Sequence, residues 1–166
     1  MTTVANPAIN SGDAAGDSYV SIRRLTDSRF ADTLTGNDLN NRLTGNAGAD
    51  VLTGGAGRDR FAFNTITDSP PGAARDKITD FDAGTAATVV DQIDLSAIDA
   101  ETGPGNQAFT FIGTAAFTHT RGELRVRNAG TSAIVAGDKN GDGAADFEIE
   151  LLNFKPATLR ASDFVR

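Results

Sequence analysis

The sequence predicts an all-β fold in two parts: a coil of very short parallel strands, then antiparallel, sandwich-like strands that cap it. Three observations carry this expectation. From Asp27 to Ala62 the chain reads in nines as DSRFADTLT, GNDLNNRLT, GNAGADVLT and GGAGRDRFA, with Leu34, Leu43, Leu52 and Phe61 at place eight and Leu25 one step earlier. Beyond Asn64, short runs of alternating apolar residues are separated by turn signals. No window holds a helical period; only TLRASDF near the end suits a single turn.

The nonapeptide is legible in physical terms. Six residues rich in Gly, Asn and Asp favour a tight turn, and the x-U-x triplet that follows suits a three-residue strand with one inward side chain. Two units close one coil, so Leu25, Leu43 and Phe61 fall on one sheet and Leu34 and Leu52 on the sheet facing it. Place six holds Asp32, Asn41, Asp50 and Asp59. Turns on one edge stack alike, which sets Asp32 above Asp50 on one edge and Asn41 above Asp59 on the other. Those side chains, with Gly36, Gly45, Ala47, Gly54 and Ala56 as main-chain donors, make a hard, all-oxygen environment suited to calcium, whereas zinc prefers nitrogen or sulfur. Leu39 stands where a fourth-place glycine is expected and Asp27 to Ala31 keep no glycine, so the site nearest Asp50 is the most complete.

Around the repeats, residues 1–17 are small and polar and read as a flexible leader or linker. SYVSIRRL (18–25) begins the first strand and caps the open end, with Arg23 and Arg24 facing solvent. Phe61 and Phe63 share a face in RFAFN, and the turn-rich DSPPGAAR (68–75) ends the coil. DKITDF and DQIDLSAID then read as strands joined by a loop over 82–90, followed by strands at 109–112, 122–127, 132–136, 147–152 and 164–165. Asp76, Asp80 and Asp82 read as solvated strand and turn positions.

GNAGADVLTGGAGRDRF resembles the nonapeptide calcium repeat of RTX proteins, which form a parallel β-roll. Downstream, FAF, DSPPG, DKITDF, DQIDLSAID, FTFIG, GELR, GDKNGDGAADF and the final DFV are together similar to the C-terminal domain of serralysin-type secreted metalloproteases. The resemblance spans 27–166 and implies a β-roll with its N-terminal cap over 18–64, then a β-rich cap over 65–166 carrying an uncleaved type I secretion signal. It implies a secreted, extracellular, calcium-binding module whose partner is the type I secretion machinery. Two features depart from the family: the long loop AGTAATVV before Asp91, and Arg166 where apolar residues are usual.

Composition excludes several functions. With 18 Asp, 12 Arg, 3 Lys and a formal net charge of -7, the chain has no basic block for nucleic acid. Without cysteine it forms neither disulfides nor thiolate metal sites. No apolar run reaches the roughly 20 residues of a membrane span, so no transmembrane segment is expected. His119 is the only histidine, which leaves no HExxH zinc helix, and a non-catalytic module is expected.

Two further segments hold candidate chemistry. DKNGDGAAD offers Asp138, Asn140, Asp142 and Asp146 around Gly143, a set that reads equally as a calcium loop or as a hairpin turn. Arg121, Glu123, Arg125 and Arg127 alternate with Leu124 and Val126, so one strand face would show three arginines. That row supports a competing reading, an adhesive or carbohydrate-binding β-roll for an acidic polysaccharide, similar to the calcium-dependent repeat modules attached to alginate-modifying enzymes.

Overall fold

The computed structural model describes residues 2–3, 23–85, 90–101 and 105–166. Apart from Thr2–Thr3, the leader and Ser18 to Ile22 lie outside the described residues. The repeats form the strands expected of them, each with its central apolar residue buried: β2 (Arg24–Thr26), β3 (Thr33–Thr35), β4 (Arg42–Thr44), β5 (Val51–Thr53) and β6 (Arg60–Ala62), with β1 (Thr2–Thr3) paired to β3. Successive strands alternate between two sheets. Leu25 pairs with Leu43 and Leu43 with Phe61 on one sheet; Leu34 pairs with Leu52 on the other, all parallel. The eighteen-residue coil is therefore the structural unit, and place eight fills a thin core between the sheets.

Parallel pairing does not stop where the repeat stops. β7 (Asp76–Ile78) adds to β5 with Leu52 opposite Ile78, and β8 (Gln92–Asp94) adds to β6 with Phe61 opposite Ile93. The coil thus runs past DSPPGAAR, because an inward apolar residue falls in register there whatever the length of the turn before it. Finally β13 (Phe164–Val165) pairs with β8, placing Phe164 beside Ile93 and closing that sheet.

The cap extends the other sheet. β12 (Phe147–Leu151) lies parallel to β7, then β11 (Ser132–Asp138) and β10 (Glu123–Ala129) follow antiparallel, and β9 (Thr110–Phe111) ends the order. Leu124, Val126, Val135, Phe147, Ile149 and Leu151 join Leu34, Leu52 and Phe61 in one continuous apolar cluster, so roll and cap share a core. The TLRASDF segment gives a short 3-10 turn at Ala161–Asp163.

Gly137 marks the tightest point of the cap. It sits opposite Phe147, whose ring meets Phe109 edge-on at 5.5 Å, and a Cβ on Gly137 would stand 2.2 Å from that ring. Gly137→Ala is expected to cost about 1–3 kcal/mol through overpacking, read as a lower melting temperature in calcium; an unchanged melt would mean the ring moves freely.

Candidate metal centre

The turns between strands stack on the two edges of the roll, and place six of each turn builds a column. On the first edge the amide of Asp32 donates to Asp50 Oδ1 at 2.8 Å, and the amide of Asp50 donates to Asp76 Oδ1 at 2.8 Å. On the second edge the amide of Asn41 donates to Asp59 Oδ1 at 2.8 Å, and that of Asp59 to Asp91 Oδ1 at 2.9 Å. The expected pairs, Asp32 with Asp50 and Asn41 with Asp59, are in place. Asp76 and Asp91 prolong both columns.

Asp76 corrects the sequence reading, which took it as solvated: it is fully buried, as is Asp50, while Asp59 and Asp91 are nearly so. Asp80 and Asp82 do remain exposed, but Asp80 is engaged, accepting the amides of Gly54 and Gly55 at 2.9 and 2.8 Å. The signal for Asp76 and Asp91 was present as D-x-I, two residues before Ile78 and Ile93, outside any period of nine.

Both oxygens of Asp91 accept amides, those of Asp59 and Asp82, but Asp50, Asp59 and Asp76 each use only one. Among the described residues Asp50 Oδ2, Asp59 Oδ2 and Asp76 Oδ2 are buried without a hydrogen-bond partner, as is Asp27 Oδ2. A buried, unpartnered, ionised oxygen costs several kcal/mol unless a cation meets it. The charge balance shows the same need. Burial first, with Asp32, Asp27 and Asp68 as like charges, pushes Asp50 up to about 6 despite the Asp32 amide; burial, with Asp50 and Asp68, pushes Asp76 up to about 8. Burial likewise raises Asp91 to about 6 and raises Asp59, both aided by the Asp80 charge.

The place-one glycines exist to admit those oxygens. A Cβ on Gly45 would lie 2.2 Å from Asp50 Oδ2, one on Gly54 2.3 Å from Asp59 Oδ2, and one on Gly36 2.4 Å from Asn41 Oδ1 and 2.1 Å from the Gly54 carbonyl. At place four, Gly48 (φ 144°) brings its backbone against the Phe30 carbonyl, where a Cβ would stand at 2.7 Å. Main-chain oxygens of one turn therefore crowd the next, which is how a hard cation is served by few carboxylates. Among the described residues no three acidic or histidine side chains converge as a closed cluster, so carbonyls such as those of Gly36, Gly45, Ala47, Gly54 and Ala56 would have to supply the remaining donors. Gly54→Ala is expected to raise the calcium concentration needed for folding severalfold, since Asp59 must swing aside; an unmoved midpoint in a dichroism titration would remove Asp59 from the site.

The Asp138 to Asp146 loop behaves differently. It joins β11 to β12, and Asp138 accepts the amides of Gly141 and Gly143 at 2.6 and 2.8 Å. Asp146 accepts from Lys139 and Asn140, Asp142 from Ala144 and from the Asn140 side chain, and the Asn140 carbonyl from the amide of Asp142. Every side-chain oxygen of the four accepts a hydrogen bond within the loop, the local bonding that favours turns. The arginine row is also committed elsewhere: Arg127 pairs with Glu148 at 2.8 Å, Arg125 lies over the Phe117 ring, and Glu123 is buried, accepting from Thr118. His119 is exposed, packed over Gly143.

The family described as Peptidase M10 serralysin C terminal matches residues 30–166. Among solved structures, the AlgE6R3 subunit of the Azotobacter vinelandii mannuronan C5-epimerase is 29% identical, covering 90% of this chain and 86% of its own, with a TM-score of 0.42. The AlgE6R2 subunit of the same epimerase is 25% identical, covering 88% and 94%, with a TM-score of 0.41. No curated protein matches.

Proposed function

The chain belongs to the Peptidase M10 serralysin C-terminal family, the non-catalytic part of those proteases, and from that premise we propose a calcium-binding module that folds on meeting calcium outside the cell. The observation that carries this reading is the set of buried, partnerless oxygens on Asp50, Asp59 and Asp76. Calcium bound there supplies the positive charge that ionised aspartates lack. The chain's own residues do the rest: glycines hold the turns open, amides of Asp32 and Asp50 orient the carboxylates, and Leu34, Leu52 and Phe61 wait to be buried once the turns stack.

In a calcium-poor cytosol the repelling aspartates and glycine-rich turns oppose folding. Outside, binding to the folded state alone draws folding forward by mass action. An unfolded chain suits threading through a type I exporter, and the proposal places the export signal in the last strand region. No helix among the described residues is long and apolar enough to cross a membrane.

Far-UV circular dichroism of the EDTA-treated chain, titrated with calcium and with magnesium as control, tests the folding switch. At pH 8 a calcium-selective gain of β signal is expected; a chain fully folded in EDTA at that pH removes it. For export, residues 105–166 fused to a leaderless passenger should carry it into the medium of cells with a type I system, and retention inside would remove that part alone.

A further inference from the structure

The two edges of the roll are unequal hosts for a cation, because the chain satisfies the oxygens of one and leaves those of the other bare. On the first edge, buried oxygens without a partner among the described residues come one per turn: Asp27 Oδ2, Asp50 Oδ2 and Asp76 Oδ2. On the second edge only Asp59 Oδ2 is left. There Asn41 Oδ1 accepts the Asn37 amide at 2.8 Å, and Asp91 accepts the amides of Asp59 and Asp82, both at 2.9 Å. Asp80 takes those of Gly54 and Gly55 at 2.9 and 2.8 Å. A carboxylate whose oxygens already accept amide hydrogens gains less from a metal.

Local charge separates the edges in the same sense. Asp27, Asp32 and Asp68 stand around Asp50 as like charges. Beside the second edge, the register aligns Arg24 with Arg42 and Arg42 with Arg60. Where this row meets the edge, Arg23, Arg42, Arg58 and Arg60 line a cleft of about 420 Å³ together with Asn41 and Asp59. Arg23 and Arg58 are exposed and form no ion pair among the described residues. Clustered carboxylates attract a divalent cation to the first edge, and guanidinium groups oppose its entry at the second.

The first turn departs from the others at place one. Gly36, Gly45 and Gly54 hold that place in the next three units, and a Cβ on each would stand 2.4, 2.2 and 2.3 Å from Asn41 Oδ1, Asp50 Oδ2 and Asp59 Oδ2, the place-six oxygen of its own unit. In the first unit Asp27 sets a whole side chain there. Its place-six residue is engaged elsewhere, since the Ser28 hydroxyl donates to Asp32 Oδ2 at 2.6 Å, and Asp32 is only half-buried. Asp27 Oδ1 accepts the Ser28 amide at 3.0 Å, and the buried oxygen without a partner in this turn is Asp27 Oδ2.

We propose that the first edge is the high-affinity calcium edge, that Asp27 rather than Asp32 gives it its first carboxylate, and that the second edge fills only at higher calcium. Calcium binding as proposed above is the premise. The test is calorimetric titration of the EDTA-stripped chain with calcium at pH 8, with circular dichroism in parallel, and two binding phases are expected. Asp27→Asn keeps an acceptor for the Ser28 amide but loses the charge, and should weaken the tight phase by about tenfold or more, against less than about twofold for Asp32→Asn. In an Asp27→Gly chain, which restores the glycine of the other units, Asp32→Asn should become the damaging change. Asp59→Asn should remove the weaker phase alone, and Arg23→Glu with Arg58→Glu should tighten that phase by about threefold or more. A single phase, Asp32→Asn as damaging as Asp27→Asn in the parent chain, or a weaker phase that ignores the arginine pair overturns the proposal. A chain already folded in EDTA that still binds calcium in these two phases would remove the folding switch and leave this assignment standing.

Discussion

Asp50→Ala is expected to raise the calcium midpoint for folding by tenfold or more, while Asp38→Ala leaves it where it was. Asp50 has two separable roles. Its Oδ1 satisfies the Asp32 amide, and its buried Oδ2 has no partner among the described residues. Removing the side chain strands a partly buried amide, costing about 1–3 kcal/mol, and deletes a cation donor. Asp38 is exposed and lies outside place six. Asp50→Asn separates the two roles, because the amide carbonyl still accepts from Asp32 but carries no charge. In EDTA that variant should fold at least as well as the wild type, having lost a buried charge, and should respond weakly to calcium. Asp76→Asn should behave the same way, although it lies beyond the repeat. Equal midpoints for the Asp50→Ala and Asp38→Ala chains would mean the register of the turns is wrong.

The Asp76 comparison exposes what the sequence encodes and what periodicity hides. Four units in one register were enough to specify both sheets, the inward residues and the pairs Asp32 with Asp50 and Asn41 with Asp59. Beyond Ala62 the turns lengthen to 63–75 and 79–90, so the period of nine is lost. The D-x-U core of the unit persists as Asp76-Lys77-Ile78 and Asp91-Gln92-Ile93. Pairing needs the aspartate and the apolar residue at their fixed separation, whereas turn length costs only loop-closure entropy, which grows slowly.

The same limit explains the arginines. Alternation marks the strand from Glu123 to Arg127, with Arg121 left in the preceding turn, but cannot show that Glu148 on β12 and Phe117 would occupy Arg127 and Arg125. The aligned row of Arg24, Arg42 and Arg60 follows from the eighteen-residue coil, and only the fold shows that Arg23 and Arg58 close a cleft beside it.

Opposite pH responses with and without calcium are the second large effect expected. Unfolded aspartates titrate near pH 3.9. In the fold, burial moves Asp50 and Asp91 up to about 6 and Asp76 up to about 8. Between those values the folded chain holds protons that the unfolded chain has released, so stability must fall as pH rises. In EDTA the β signal should therefore be strongest near pH 4–5 and fade toward pH 8. Lowered carboxylates set the acid side, Asp94 and Glu148 the more buried among them. Asp94 and Glu148 are lowered in the fold, hydrogen bonds from Ser96 and Arg42 to Asp94, and from Arg127 to Glu148, outweighing burial. Their contribution is lost as pH falls below the ordinary carboxylate range. With calcium present the order reverses over the upper window, because protons and cation compete for the same oxygens: the midpoint should rise as pH drops from 8 to 5. A metal-free fold that strengthens toward pH 8 would mean the columns hold their charge without a cation, and the switch would need another cause.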